Sequence, residues 1–235
     1  MHIDVSALSQ ANQDYVKALF TLSEWNEKPV TAKVLADQVG VRLSSASDAV
    51  RRLAGLGLVD HTPYGAITLT EKGLSYALAM VRRHRLLESF LVEVLDYRWD
   101  QVHEEAEHLE HAVSDFMVDQ IDKYLGYPTR DPHGDPIPTK DGHFPQGISA
   151  TDLCVLTELP PNTPAVIERI NDADPELLQY FHSTGIVVGA TVEVATAGPF
   201  AEAKQLRVQG TQEPILLGHT ALQSVWVKTH KQHLN

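Results

Sequence analysis

Cysteine is almost absent: Cys154 is the only one in 235 residues. One thiol makes no intrachain disulfide and no Cys-rich zinc site within one chain. It suits the reducing cytosol, so a cytoplasmic location is expected. No apolar run approaches the roughly 20 residues that span a bilayer. The first ten residues have neither the basic start nor the apolar stretch of a secretion signal. No membrane partner is therefore expected. Basic residues are scarce as well. Lys and Arg number 19 against 31 Asp and Glu, a formal net charge of −12, which argues against general nucleic-acid affinity. What is present is an ordinary globular composition, 43% hydrophobic and 21% charged, long enough for one large domain or two to three compact ones.

The shortage of basic residues is uneven. Residues 1–76 hold seven Lys and Arg against eight Asp and Glu. Residues 77–127 hold five against eleven, and residues 128–235 seven against twelve. The middle segment also carries four of the twelve histidines, and no Lys or Arg occurs between Trp99 and Asp122. Acid and imidazole concentrated in this way fit either a solvated helix face or a divalent-cation site. A solvated face would mix in more basic residues.

Apolar spacing predicts a helix from Gln10 to Trp25, one from Thr31 (N-cap) to Val39 with Gly40 ending it, and one from Ser44 or Ser45 (N-cap) to Leu56. Two short strands, Leu58–His61 and Ala66–Leu69, flank a turn at Pro63, Tyr64 and Gly65. That order is a winged helix-turn-helix. Thr70 caps a long helix over Glu71–Leu95, and a further helix is expected over about Trp99–Leu125. Five prolines between Gly126 and Gly147 impose loop. Short β runs follow, Ala165–Ile170, Thr191–Ala195, Gln205–Val208 and Ser224–Lys228, around one helix at Pro175–His182. The expected fold is α+β and multidomain. A winged helix-turn-helix at 1–76 precedes a helical domain at 77–127, a Pro-rich linker at 128–147 and an SH3-like small β-barrel at 148–235.

In the helix-turn-helix, Arg42, Ser44, Ser45, Ser47 and Asp48 open the second helix of the motif, with Arg51 and Arg52 one turn later. Short polar side chains and Arg suit base edges, and cations suit phosphates. Thr31 and Tyr64 of the wing turn join them as candidate double-stranded DNA contacts. The alternative is a three-helix scaffold with a solvated Ser and Arg face.

The metal reading rests on Gln101–His111. His103, Glu107, Glu110 and His111 fall on one helix face, and the preceding helix adds His84 and Glu88 at i, i+4. Imidazole and carboxylate without thiolate suit Mn²⁺, Fe²⁺, Co²⁺ or Zn²⁺. His108, His133, His143, His219, His230 and His233 are expected to be solvated or turn residues. The H-E-x-x-H of a zinc hydrolase is absent, because Glu107 stands at its fifth position.

Taken in order, these motifs resemble the diphtheria-toxin-repressor family of metal-activated repressors in its manganese branch. The resemblance rests on Asp14-Tyr15, Leu56-Gly57-Leu58-Val59, Arg83 to Glu88, Val102 to Glu107 with Leu109-Glu110-His111, the loop Asp131 to Pro138, and an SH3-like, FeoA-like tail. It implies a primary metal site at Asp14, Glu107, Glu110 and His111 and an ancillary one at His84, Glu88 and His103. Asp174 and Glu176 are further candidates from the tail. Iron-responsive members carry Met and Cys at the positions of Asp14 and Glu107. Short manganese members carry a Glu where this chain has Lys17, so the separate two-site arrangement of longer members is expected.

The resemblance thus implies a homodimeric Mn²⁺-activated repressor of metal-homeostasis genes, such as those of manganese uptake. It would hold about two ions per protomer, with Fe²⁺, Co²⁺ or Zn²⁺ as substitutes, and bind a palindromic operator. No catalysis and no small organic substrate are expected. Without metal, repulsion among Asp14, Glu107 and Glu110 is expected to loosen the site. Apolar residues around Leu86, Phe90, Leu91, Val94, Val113 and Phe116 are expected in the dimer contact. The alternatives are an Fe²⁺-responsive member of the family, a metal-dependent hydrolase and a metal-buffering adaptor.

Overall fold

The computed structural model describes residues 3–25, 28–62, 65–145, 153–196, 203–211 and 213–229. The chain divides into two compact units. One comprises Met1–Leu87, Glu107–Thr129 and Ile137–Gln146, the other Glu88–Ala106, Arg130–Pro136 and Gly147–Asn235.

The first unit opens with a one-turn 3₁₀ helix, Val5–Ala7, and then α1 (Gln10–Glu24), α2 (Ala32–Val39) and α3 (Leu43–Gly55). Thr31 caps α2 by accepting from the Val34 amide, and Gly40 ends it at φ 69°, a left-handed conformation that glycine adopts without strain. The cap of α3 differs from expectation. Its N-cap is Arg42, with no side-chain acceptor, and Ser44 and Ser45 lie within the helix. β1 (Val59–His61) and β2 (Ile67–Leu69) pair antiparallel, Val59 opposite Leu69 and His61 opposite Ile67. Pro63 and Tyr64 of the turn lie outside the described residues. Tyr15, Val16, Leu19, Leu35, Val50, Leu53, Leu58 and Ile67 form the core that fixes the three helices against the hairpin.

Thr70 Oγ1 accepts from the Gly73 amide and starts α4 (Glu71–Leu95). Consecutive cations of α4 are buried, each on an acidic partner within this unit: Arg82 on Asp122 at 2.7 Å, Arg83 on Asp115, and Arg85 on Glu24 at 2.6 Å. The single helix expected over Trp99–Leu125 is two, α5 (Val102–Leu109) and α6 (Asp115–Tyr124). The amides of Ala112 and Val113 turn back to the Leu109 carbonyl. Ser114, extended at ψ 156°, then caps a new helix by accepting from the Met117 amide. Leu86 and Leu91, expected in a dimer contact, are 0% and 2% exposed within the chain itself, whereas Phe116 is 73% exposed.

Among the described residues the second unit holds a six-stranded sheet. Its strands are β3 (Cys154–Val155), β4 (Ala165–Ile170), β5 (Thr191–Val194), β6 (Ala203–Val208), β7 (Ile215–Gly218) and β8 (Val225–Thr229), in the spatial order β3-β8-β4-β5-β6-β7. All pairings are antiparallel. α7 (Pro175–Ser183) and the short α8 (His219–Gln223) join the strands. Ala165 and Ile167 point from β4 into a core shared with Phe181, Val192, Leu206, Leu217 and Val227, the alternation expected of a half-buried strand, and Ile170 joins them after a register shift between Ile167 and Arg169.

Gly134, at φ 92°, lies so close to β4 that a Cβ there would collide with the Glu168 carbonyl oxygen. That approach lets the Ile170 amide bond the His133 carbonyl. The Pro-rich segment is thereby seated on the sheet at His133.

Candidate metal centre and nucleic-acid interface

The first cluster belongs to the first unit. α1 supplies Gln13, Asp14 and Lys17, α4 supplies His84, and α5 supplies Glu107. Glu110 and His111 come from the turn that follows α5, so its ending at Leu109 aims both toward α1. Ligand atoms of Asp14, Glu110 and His111 lie within 4.8 Å of one another, as do those of His84, Glu107 and Glu110. Glu110 is common to both groups and fully buried.

The hydrogen bonds decide which nitrogen of His111 faces the carboxylates. Gln13 Nε2 donates to the carbonyls of Val5 (2.7 Å) and Leu8 (3.0 Å). Its Oε1 is therefore the acceptor for His111 Nδ1, 2.7 Å away. Nδ1 donates to that oxygen, and Nε2 faces Asp14 Oδ1 at 2.9 Å. Among the described residues this buried Asp14 oxygen has no hydrogen-bond partner. One ring nitrogen held on a fixed acceptor and the other turned to carboxylates is the pattern of a metal-ligating histidine, so these residues fit a bound divalent ion. Burial, together with Glu110 and Glu107, raises the Asp14 pKa, and His111 and Lys17 act against the rise.

Lys17 alters the expected balance of charge. Its Nζ is 2.6 Å from Glu107 Oε1 and 2.6 Å from Glu110 Oε1. Glu110 also meets His84 Nδ1 at 2.7 Å. Burial would raise the Glu110 pKa, but the His84 bond and the Lys17 charge lower it. The expected repulsion among the carboxylates is thus offset by an ammonium standing among them.

The second cluster belongs to the second unit. His103 Nδ1 lies 3.4 Å from Glu88 Oε1 and 3.2 Å from Asp172 Oδ2. Glu88, Asp131 and His133 form a buried group within 4.8 Å. His133 is fully buried and stacks on Trp99 with ring centroids 5.5 Å apart. Its Nε2 bonds the Trp99 carbonyl at 2.8 Å, and its Nδ1, with no hydrogen-bond partner among the described residues, lies 3.8 Å from Glu88 Oε2. The arrangement repeats that of His111: one nitrogen on a fixed acceptor, the other turned to carboxylates. This too fits a divalent cation.

Burial would lower the pKa values of both imidazoles. For His103 the hydrogen bonds and charges of Asp172 and Glu88 outweigh burial and push it up to about 11. For His133 Glu88, Asp131 and Asp172 do the same, to about 10. Both rings are therefore protonated at neutral pH, and any ion taking them as ligands displaces those protons. Mn²⁺ titrations in buffers of different ionisation enthalpy should reveal about one proton released for each imidazole that becomes a ligand, with affinity rising with pH. A heat of binding independent of the buffer would exclude these imidazoles as ligands.

On α3, Ala46, Ala49, Val50 and Leu53 are buried, and Arg42, Ser44, Ser45, Asp48 and Arg51 are exposed. The first turn of α3 lacks a side-chain cap, which leaves its amide groups to an outside acceptor. Arg51 pairs with Asp48. Arg52 donates through Nε to Asn12 Oδ1 at 2.9 Å and so also ties α3 to α1. Ser47 Oγ is engaged by the Leu43 carbonyl at 2.8 Å.

Three family models match the chain in series. They are the iron dependent repressor N-terminal DNA binding domain at 7–67, the iron dependent repressor metal binding and dimerisation domain at 70–139, and the FeoA domain at 154–229. The iron-dependent repressor IdeR of Mycobacterium tuberculosis is 32% identical over 200 residues, which cover 82% of this chain and 86% of that protein. The chain belongs to the diphtheria-toxin-repressor, or iron-dependent repressor, family. A solved manganese-dependent transcriptional repressor in complex with manganese is 46% identical, with a TM-score of 0.87 over 93% of this chain and 100% of that one. The manganese regulator SloR is 30% identical, with a TM-score of 0.76 over 93% and 98%.

The family is one of metal-dependent DNA-binding repressors, not enzymes. Its N-terminal helix-turn-helix, helical domain and SH3-like FeoA domain are the α+β architecture expected from the sequence. Among the described residues no helix is long and apolar enough to cross a membrane.

For this member of the family, the sequence-derived metal residues do not all fall where expected. Asp14, Glu107, Glu110 and His111 come together, and His84 joins Glu107 and Glu110. His103 meets Glu88, the pairing that the resemblance implies, and does not share one helix face with Glu110 and His111, because α5 ends between them. Asp174 caps α7, accepting from the amides of Glu176 and Leu177, and Glu176 is exposed in its first turn. Asp172, two residues earlier, takes the position expected of Asp174. His133, expected to be solvated, is buried. Sequence reasoning missed Asp131, His133 and Asp172. The available signal was Gly134 beside His133 in a loop that would otherwise need no left-handed residue.

Proposed function

We propose that the chain is a Mn²⁺-activated, homodimeric repressor that binds a palindromic operator and controls manganese uptake. The observation that carries the reading is the donor set of the first cluster. Asp14, Glu107 and Glu110 give carboxylate oxygens and His84 and His111 give imidazole nitrogens, with no sulfur. Mn²⁺ stands at the weak end of the divalent affinity series, and hard oxygen donors favour it more than thiolate or thioether does. The 46%-identical manganese-dependent repressor supports the same choice. The names of the curated relatives favour Fe²⁺ as the second reading.

Asp131, His133 and Asp172, with Glu88 and His103, are proposed to hold the second of about two ions per protomer. A bound ion supplies positive charge that joins carboxylates drawn from separate elements. Asp14 is rooted in α1 of the DNA-binding part, whereas Glu107, Glu110 and His111 follow α4. Ligation at both ends fixes the direction of α1, and with it α3, which Arg52 ties to Asn12.

In this reading α3 enters the major groove. Arg42, Ser44, Ser45, Ser47 and Asp48 face base edges, Arg51 and Arg52 face phosphates, and Thr31 and Tyr64 touch the flanks. The exposed Phe116, Met117 and Tyr124 of α6 are proposed as the dimer contact, within the matched dimerisation domain. The cell compartment is the cytoplasm, where operator DNA is found.

Duplexes selected from a randomised library on the Mn²⁺-loaded chain should converge on a palindrome and lose binding when the metal is chelated. Arg51→Ala should weaken binding to every duplex and reduce the slope of log affinity against log salt by about one. Equal binding with and without Mn²⁺ would refute the reading.

A further inference from the structure

Lys17 is an unusual neighbour for a cation site. Its side chain is 10% exposed, and its ammonium lies 2.6 Å from Glu107 Oε1 and 2.6 Å from Glu110 Oε1. These carboxylates form one ligand group with His84. α1 places Lys17 one turn after Asp14, so a single helix face brings both an anionic donor and a cation to the cluster. The space between Glu107 and Glu110 already holds a positive charge, attached to the chain.

We propose that Lys17 is a built-in counter-ion that competes with the divalent ion for Glu107 and Glu110 and so sets the metal concentration at which the chain responds. The inference rests on the reading of these two glutamates as metal ligands. Three carboxylates and two imidazoles would bind a divalent ion tightly if the metal-free cluster carried its negative charge uncompensated. The ammonium compensates part of that charge through two charge-assisted hydrogen bonds. It thereby stabilises the metal-free arrangement and weakens apparent affinity for any competing cation by the free energy of those bonds. An ion ligated by either Oε1 atom meets the ammonium at close range, and the flexible Lys stem lets the head group withdraw. Metal-free protein keeps an ordered cluster, and the response to metal is an exchange of one cation for another.

The test uses the full chain, stripped of metal and titrated with MnCl₂ alone by calorimetry, together with thermal unfolding of the metal-free and Mn²⁺-loaded forms. Lys17→Met should tighten one of the two ions by about ten- to a hundredfold, the equivalent of the lost competing bonds. It should also lower the unfolding temperature of the metal-free form and widen the gain on adding Mn²⁺. Lys17→Arg, which keeps the charge, should stay within a few fold of wild type. If Lys17→Met does not fold without metal, Lys17→Gln, which keeps a donor but no charge, should show the same tightening. Unchanged or weaker Mn²⁺ binding in the neutral variants overturns the inference. Glu110→Gln run in parallel separates the two claims. If it loses an ion while Lys17→Met matches wild type, only the competition is wrong. If Glu110→Gln binds like wild type, the ligand reading falls and the competition with it.

Discussion

Glu110→Gln is expected to abolish metal activation. Glu110 is fully buried, accepts from Lys17 and meets His84, and belongs to both ligand groups of the first cluster. Loss of residues that only orient metal ligands costs about 10–100-fold in affinity, so loss of a shared ligand should cost about 100-fold or more. The substitution also leaves the Lys17 ammonium with half its anionic partners. Breaking a buried pair by removing one member costs about 3–5 kcal/mol. The metal-free variant should therefore unfold at a lower temperature than wild type and gain little on adding Mn²⁺. Calorimetry and thermal unfolding read the two effects separately. Wild-type Mn²⁺ affinity in a folded Glu110→Gln protein would remove Glu110 from the site.

The second large effect concerns choice of metal. Glu107 is one of two carboxylates at positions where the iron-responsive pattern has sulfur, and Asp14 is the other. Glu107→Cys replaces a hard oxygen by a thiolate in a cluster whose other donors are oxygen and nitrogen. Activation should move toward Fe²⁺ and Co²⁺ relative to Mn²⁺, and Asp14→Met added to it should extend the shift. The fold should tolerate the first change. Glu107 is partly exposed, and Lys17 keeps its second bond, to Glu110. Operator binding titrated with each ion under anaerobic conditions gives the ranking. An unchanged ranking in both variants would place selectivity outside these two residues.

Local signals announced most of the N-terminal fold. Thr31 and Gly40 bracket α2, the buried Ala46, Ala49, Val50 and Leu53 repeat at helical spacing, and the sequence Pro63-Tyr64-Gly65 falls between two short strands. The errors arose where two local signals competed or where the outcome depended on distant chain. Ser44 and Ser45 are good caps by type, yet α3 starts at Leu43. Ser114 lies in a stretch without proline or glycine, and its capping of α6 splits what periodicity reads as one helix. That split separates His103 from Glu110 and His111.

The clusters depend on tertiary structure still more. Asp14 and Glu110 are brought together from separate segments of the first unit, and only resemblance to a family could pair them. Asp172 and Asp174 are indistinguishable by composition. The cap at α7 takes the latter, which leaves the former for His103. His133 lies in a polar, Pro-rich loop that reads as solvated, and the close approach permitted by Gly134 buries it. Lys17 was legible only as a departure from the short manganese pattern, and its two glutamate partners emerge from the fold.

The most direct test of the account is binding of a selected palindromic duplex to the wild-type chain at matched free concentrations of Mn²⁺, Fe²⁺ and Zn²⁺ and in chelator, under anaerobic conditions. The account predicts no specific binding in chelator and half-maximal binding at a free Mn²⁺ concentration where Fe²⁺ leaves the duplex largely unbound. Specific binding in chelator, or activation by Fe²⁺ at lower free concentration than Mn²⁺, would contradict it.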